Sequence, residues 1–225
     1  MALLVALLAT CLLTPPASAD VLRLGGVRVD LPAGSTQVVT VNHTHGHDAR
    51  VTLWSLGPGG WTRELTTKAG RTGYGGLVAG ARRHQGSGTT PLGTYGMISA
   101  FGTHATQPGW LLPYRTIARG DFWVEDNGSA YYNRYRNQAE GGFRWRLSAG
   151  RVNGSERLTD YPRQYEYAIV TSYNQEQVRH RGAGIFLHVN GRGATAGCVS
   201  APRWFLQATM ARLDPTRQPV IAIGR

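Results

Sequence analysis

The spacing of glycine and proline limits this chain to short extended segments. Its 225 residues hold 30 glycines and 11 prolines, and helix-length apolar periodicity is nearly absent. What recurs is alternation. Val21 to Leu24, Val27 to Leu31, Gln37 to Val41 and Ala49 to Trp54 read as half-buried strands, and Trp61 begins another after the turn Gly57-Pro58-Gly59-Gly60. Tyr165 to Ser172, Gly184 to Val189 and Pro219 to Ile223 extend the series. The glycine-dense stretch from Gly70 to Gly102 predicts hairpins and close backbone approach. One helix is expected from Pro202 to Leu213, with Trp204, Phe205, Ala208, Met210 and Leu213 loosely on one face. An aromatic- and arginine-rich insert without clear period occupies about 110–146. No repeat or linker divides the chain, and a hydrophobic content of 41% supplies a core. Residues 20–225 therefore read as one mainly β domain.

Residues Ala2 to Leu13 are apolar and uncharged, and Ala17-Ser18-Ala19 fits a signal-peptidase site. A cleaved signal peptide over 1–19 is expected, with the mature chain starting near Asp20. A lipidated Cys11 is the alternative. No later stretch approaches the roughly 20 apolar residues needed to cross a bilayer, so the expected location is secreted or in the cell wall. The leader carries no charge, so the net charge of +11 belongs to the remainder, where Lys68 is the single lysine and the other cations are arginines. Such a field attracts polyanions. Scattered arginines without a recognised module argue against nucleic acid; for an exported protein, anionic wall polymers are the better partner.

Once Cys11 is removed with the leader, Cys198 is the one remaining thiol and no internal disulfide can form. Two readings stand: a structural cysteine acting as a small hydrophobe, or a nucleophile whose proton passes to His188, ten residues upstream at the end of an apolar run. The intervening Val189 to Ala194 is short and flexible enough to return Cys198 beside His188. Backbone N–H groups around Ala196, Gly197 and Cys198 can receive a tetrahedral oxyanion, with Gly197 permitting an unusual turn.

The stretch Ile185-Phe186-Leu187-His188 … Thr195-Ala196-Gly197-Cys198-Val199 resembles the signature of the L,D-transpeptidase catalytic domain, the YkuD-type family. Gly88-Thr89-Thr90-Pro91-Leu92-Gly93-Thr94-Tyr95 resembles its Thr-Pro-x-Gly-x-aromatic segment, and Gly70-Arg71-Thr72-Gly73 the glycine-bearing strand end that precedes it. Two positions depart from the family: Ala196 replaces the box histidine, and Ser200 stands where arginine or asparagine is usual. The resemblance implies a β-sandwich or barrel-like domain with one or two short helices. It also implies Cys198 as nucleophile, His188 as base, and the Val189 carbonyl as the group that orients the imidazole. The implied substrate is a peptidoglycan stem peptide. Terminal D-alanine leaves, a thioester forms, and a second stem's amine resolves it as a crosslink; resolution by water makes an L,D-carboxypeptidase instead. A non-catalytic wall-binding module on a degenerate version of the fold is the third reading. Papain-like and NlpC/P60-type peptidases place cysteine before histidine, and sortases separate the pair by a longer interval.

Further candidates for substrate contact are Thr195, Ser200, Tyr173, Asn174, Trp123 and Asn133. A packed lid or core strand is the alternative for the aromatics. His43, His45 and His47 alternate, which puts three imidazoles on one side of an extended strand. They have no acidic or cysteine partner at a familiar spacing, so no metal and no cofactor is expected.

Overall fold

The computed structural model describes residues 22–225. The expected leader, its cleavage site and Cys11 lie outside the described residues. Among the described residues the architecture is mainly β with one α-helix. Eight strands are labelled here: β1 (Gln37–His45), β2 (Asp48–Gly57), β3 (Gly60–Arg71), β4 (Thr90–Gly102), β5 (Tyr167–Thr171), β6 (Phe186–Val189), β7 (Val199–Ala201) and β8 (Val220–Gly224). They pair in the order β5-β6-β7-β3-β2-β1-β8-β4, and β4 pairs again with β5, closing the ring. Closure leaves no barrel strand with a free edge. Most pairings are antiparallel, but β6–β7 and β8–β1 run parallel.

Alternation along each strand sorts side chains onto two faces. Val39 and Val41 of β1, Val51 and Leu53 of β2, Ile169 of β5 and Ile221 of β8 share one buried cluster inside the ring. Many of their neighbours point outward and are covered, although Arg50 is exposed. Val38 and Ala222 meet the N-terminal hairpin of Leu22–Leu24 and Val27–Val29, while Ala168 and Val170 meet an outer aromatic cluster of Phe101, Trp123, Tyr165 and Phe186. This second layer explains why β5 is buried at every position, although an alternating strand exposes one face.

The helix α1 (Arg203–Met210) is shorter than its sequence pattern suggested. Phe205, Leu206 and Met210 join the barrel cluster, but Trp204, expected on the apolar face, is 49% exposed. The stretch expected to form hairpins ends in β4, a thirteen-residue strand. Its glycines and small residues carry little β-propensity, yet they let it pair with β5, β8 and the short strands Leu77–Ala79 and Tyr114–Thr116. The excursion between β4 and β5 covers 103–166, longer at both ends than the expected insert. It folds over the barrel on a three-stranded sheet of Asp121–Trp123, Tyr135–Asn137 and Glu156–Arg157.

Ile221 is fully buried in the ring's interior between β1 and β4. Ile221→Ala is expected to cost about 2–5 kcal/mol of unfolding free energy by urea titration, the usual range for such a truncation.

Candidate functional site

Strand parity sends the chemistry out of the core. Leu187 and Val189 of β6 and Val199 and Ala201 of β7 face the barrel interior. Phe186 and His188 therefore face the opposite side, and Cys198 and Ser200 share it because β6 and β7 run parallel with His188 paired to Ser200. Cys198 thus lies diagonally beside His188, under the excursion of 103–166. Both line one cleft of about 580 Å³, together with Arg83, Glu125, Glu156 and Tyr165.

The three sequence segments quoted above meet at this cleft. The Thr90 hydroxyl is fully buried; it accepts a hydrogen bond from the Gly73 N–H at 2.7 Å and donates to the Gly197 carbonyl at 2.8 Å. Thr195 N–H donates to the Thr72 carbonyl and Tyr74 N–H to the Thr195 carbonyl. A Cβ on Gly73 would strike the Gly88 carbonyl and come within 3.0 Å of the Gly197 Cα, so glycine is required there for close approach. Gly197 itself has φ +133°, a region that favours glycine.

His188 is buried, and its Nδ1 lies 2.8 Å from the Val189 carbonyl oxygen. A carbonyl only accepts, so Nδ1 carries the proton and Nε2 of the neutral ring keeps its lone pair. Burial pushes the imidazole down to about 4, the Val189 bond opposing only in part, so the ring is neutral at pH 7. The Tyr165 ring packs edge-on against it, with centroids 5.5 Å apart.

The Cys198 sulfur is partly buried. It donates to the Gly184 carbonyl at 3.1 Å and accepts from the Phe186 N–H at 3.4 Å. Burial, then the Glu156 carboxylate, pushes the thiol up to about 12. Among the described residues the thiol makes no hydrogen bond to His188, and the resting pair is neutral thiol beside neutral imidazole.

The expected oxyanion donors are also revised in detail. Gly197 N–H is taken by the Thr195 hydroxyl at 3.2 Å, which itself donates to the Cys198 carbonyl at 2.6 Å. Among the described residues, the N–H groups of Ala196 and Cys198 have no partner. Thr195 and Ala196 line the cleft, whereas Ser200 is buried beside it and donates to Asn190 Oδ1 at 2.7 Å.

The remaining sequence candidates lie outside this cleft. Tyr173 and Asn174 are buried: the Tyr173 hydroxyl donates to the Gly80 and Arg181 carbonyls, and the Asn174 amide to those of Val178 and Gly182. Trp123 donates to Asn133 Oδ1 at 2.9 Å, and the two line a separate cavity with Phe101 and Tyr135. They brace the cleft from behind, since Asn133 Oδ1 also accepts from Gly184 N–H. His43 and His45 sit at the exposed tip of the β1–β2 hairpin, His43 bonded to the Gly46 carbonyl.

Sequence reasoning missed Glu125, Glu156 and Arg83. Glu125 and Glu156 are both desolvated, Glu125 also facing the Glu156 charge and Glu156 that of Asp160, so both are pushed well above the ordinary carboxylate range. Glu156 Oε1 accepts from the Tyr165 hydroxyl at 2.6 Å, while the Glu125 carboxylate has no hydrogen-bond partner among the described residues. The available signal was an acidic side chain within the apolar run Phe122-Trp123-Val124-Glu125.

No protein-family model matches this chain, and no curated protein matches it. Among solved structures, that of Bdellovibrio bacteriovorus Bd1075 is similar at 14% identity with a TM-score of 0.40, over 87% of this chain and 50% of that one. The chain thus spans about half the length of Bd1075.

The buried carboxyl pair binds protons more tightly folded than unfolded, so its contribution to stability is full below about pH 4.5 and is lost as pH rises through neutrality. His188 acts oppositely, its contribution being lost as pH falls from about 6.5 to about 4. Glu125→Gln is expected to flatten the fall in melting temperature between mildly acidic and mildly alkaline pH. An unchanged slope in scanning calorimetry would remove the carboxyl pair as its source.

Proposed function

We propose that this protein is an exported L,D-transpeptidase-like cysteine acyltransferase of the YkuD type, acting on peptidoglycan stem peptides. One observation carries the reading: Thr90 ties the Gly73 strand end and the Thr-Pro segment to the cysteine loop, beside a histidine whose Nδ1 is held by the Val189 carbonyl. The closed β ring with a single short helix is compatible with the barrel-like domain of that family. The net charge of +11 suits retention among anionic wall polymers.

In this mechanism a stem peptide enters the cleft and its scissile carbonyl meets the Cys198 sulfur. The thiol leaves its bond to Gly184 and passes its proton to His188 Nε2 as the C–S bond forms. Because the resting pair is neutral, charge separation accompanies attack rather than preceding it. The tetrahedral oxyanion is received by the N–H groups of Cys198 and Ala196. Collapse breaks the C–N bond, the imidazolium proton goes to the departing amine, and a thioester remains on Cys198. An amine on a second stem then gives a crosslink, or water gives a shortened stem.

The second reading, a wall-binding module without catalysis, is favoured by the thiol's two backbone hydrogen bonds and the lack of one to His188. Purified protein incubated with tetrapeptide muropeptides separates the alternatives by mass spectrometry. Crosslinked dimers mark transpeptidation, monomeric tripeptides mark carboxypeptidation, and an unmodified substrate pool with no Cys198 adduct leaves the binding module. Cys198→Ala is expected to abolish product, and His188→Ala to slow acylation by roughly 10²–10⁴-fold, the usual scale for a general base. Before substrate is added, iodoacetamide should label Cys198 more slowly at neutral pH than it labels free cysteine, whose reference pKa is about 8.5.

A further inference from the structure

Among the arginines that line this cleft, Arg83 is the buried one, while Arg151 and Arg192 are exposed. Arg83 follows the single turn Gly80–Arg82 and is only 5% exposed, although Arg82 beside it is exposed. Its Nε donates to the Thr89 carbonyl at 2.7 Å and its Nη1 to the Arg181 carbonyl at 3.4 Å, while the guanidinium lies over the Tyr173 ring. Among the described residues, Nη2 has no hydrogen-bond partner and Arg83 no ion pair. Glu125 lies within electrostatic reach of the guanidinium but makes no contact ion pair with it; a buried cation is costly to leave undercompensated, so a fixed guanidinium with one free nitrogen suits a ligand that brings negative charge.

The place of that nitrogen is specific. A Cβ on Gly197 would sit 2.7 Å from Nη2, and one on Gly182 would collide with Nη1. Two glycines therefore make room for the guanidinium, and one of them immediately precedes Cys198. An anion on Nη2 would lie about one residue from the nucleophile. A peptide with its scissile carbonyl at the sulfur carries the carboxylate of its last residue roughly 3–4 Å further on, one residue of extended chain. A single free nitrogen offers few donors for a dianion such as phosphate.

We infer that Arg83 anchors the free C-terminal carboxylate of the residue expelled when Cys198 is acylated, making the cleft selective for peptides cut one residue from their C-terminus. The identity of the expelled residue rests on the proposed function; the carboxylate site itself does not.

Two tetrapeptides identical except for a C-terminal carboxylate or carboxamide test this on the unmodified protein, which removes any dependence on how variants fold. Acylation of Cys198 is followed by intact-protein mass spectrometry, and binding to Cys198→Ala by calorimetry. The acid is expected to be preferred by roughly 10–100-fold, the scale of one charge-assisted hydrogen bond. In Arg83→Gln that ratio should fall towards one, with Arg83→Lys intermediate and folding of both checked by circular dichroism. Equal acylation by acid and amide overturns the anchor while leaving the acyltransferase intact. A binding preference for the acid without any acylation does the reverse. A folded Arg83→Gln that keeps the full preference, or binding of the two peptides with equal affinity, also overturns it.

Discussion

One buried hydroxyl holds the site together. Thr90 joins the Gly73 N–H to the Gly197 carbonyl, and those two groups belong to segments 124 residues apart in sequence (197 − 73). Both bonds are shielded from water, so losing the hydroxyl would leave an amide and a carbonyl unpaired as well as removing two contacts. The position also begins β4, which pairs with β8 and β5 to close the ring. The same residue therefore couples the barrel's closure to the path of the cysteine loop. It does so only because Gly73 and Gly197 lack side chains that would keep the three backbones apart.

Legibility in the sequence follows from what each feature depends on. Strands β1 and β2 were readable from alternation and β5, β6 and β8 from short runs of β-branched and aromatic residues, both local properties of the sequence. β4 was not, because Gly93, Gly96 and Gly102 reduce its intrinsic preference and its stability comes from neighbours far along the chain. Trp204 was assigned to the wrong side of α1 because eight residues define a helical face poorly, and a one-residue change in the helix start rotates it by about 100°.

The site divides along the same line. His188, Cys198, Thr195 and Gly197 stood out because their spacing and residue types are unusual together. The Val189 carbonyl, a backbone group that no side chain announces, was reachable only through a family resemblance, and it lies 2.8 Å from Nδ1. Tyr173 and Asn174 were chosen because they follow a strand, and Trp123 and Asn133 because their aromatic- and amide-bearing segment resembles one in exported relatives; both signals are shared by cleft walls and by the supports behind them. Their hydrogen bonds run to backbone and to one another. Arg83 was invisible because its neighbour Arg82 has the same side chain; only burial separates them, and burial is set by the contact with Gly182 and Gly197.

The electrostatics of the cleft follow from that arrangement. Around one sulfur lie an imidazole kept neutral by burial, two carboxyl groups held above their usual range, and the buried guanidinium of Arg83, with Arg151 and Arg192 exposed at the cleft's rim. The carboxyl groups and desolvation oppose a thiolate, and Arg83 favours it. A ligand that occupies the free side of the guanidinium weakens that support, whereas a positively charged group near Glu125 strengthens it by offsetting the carboxylates. The ionisation of Cys198 is thus tied to what fills the cleft.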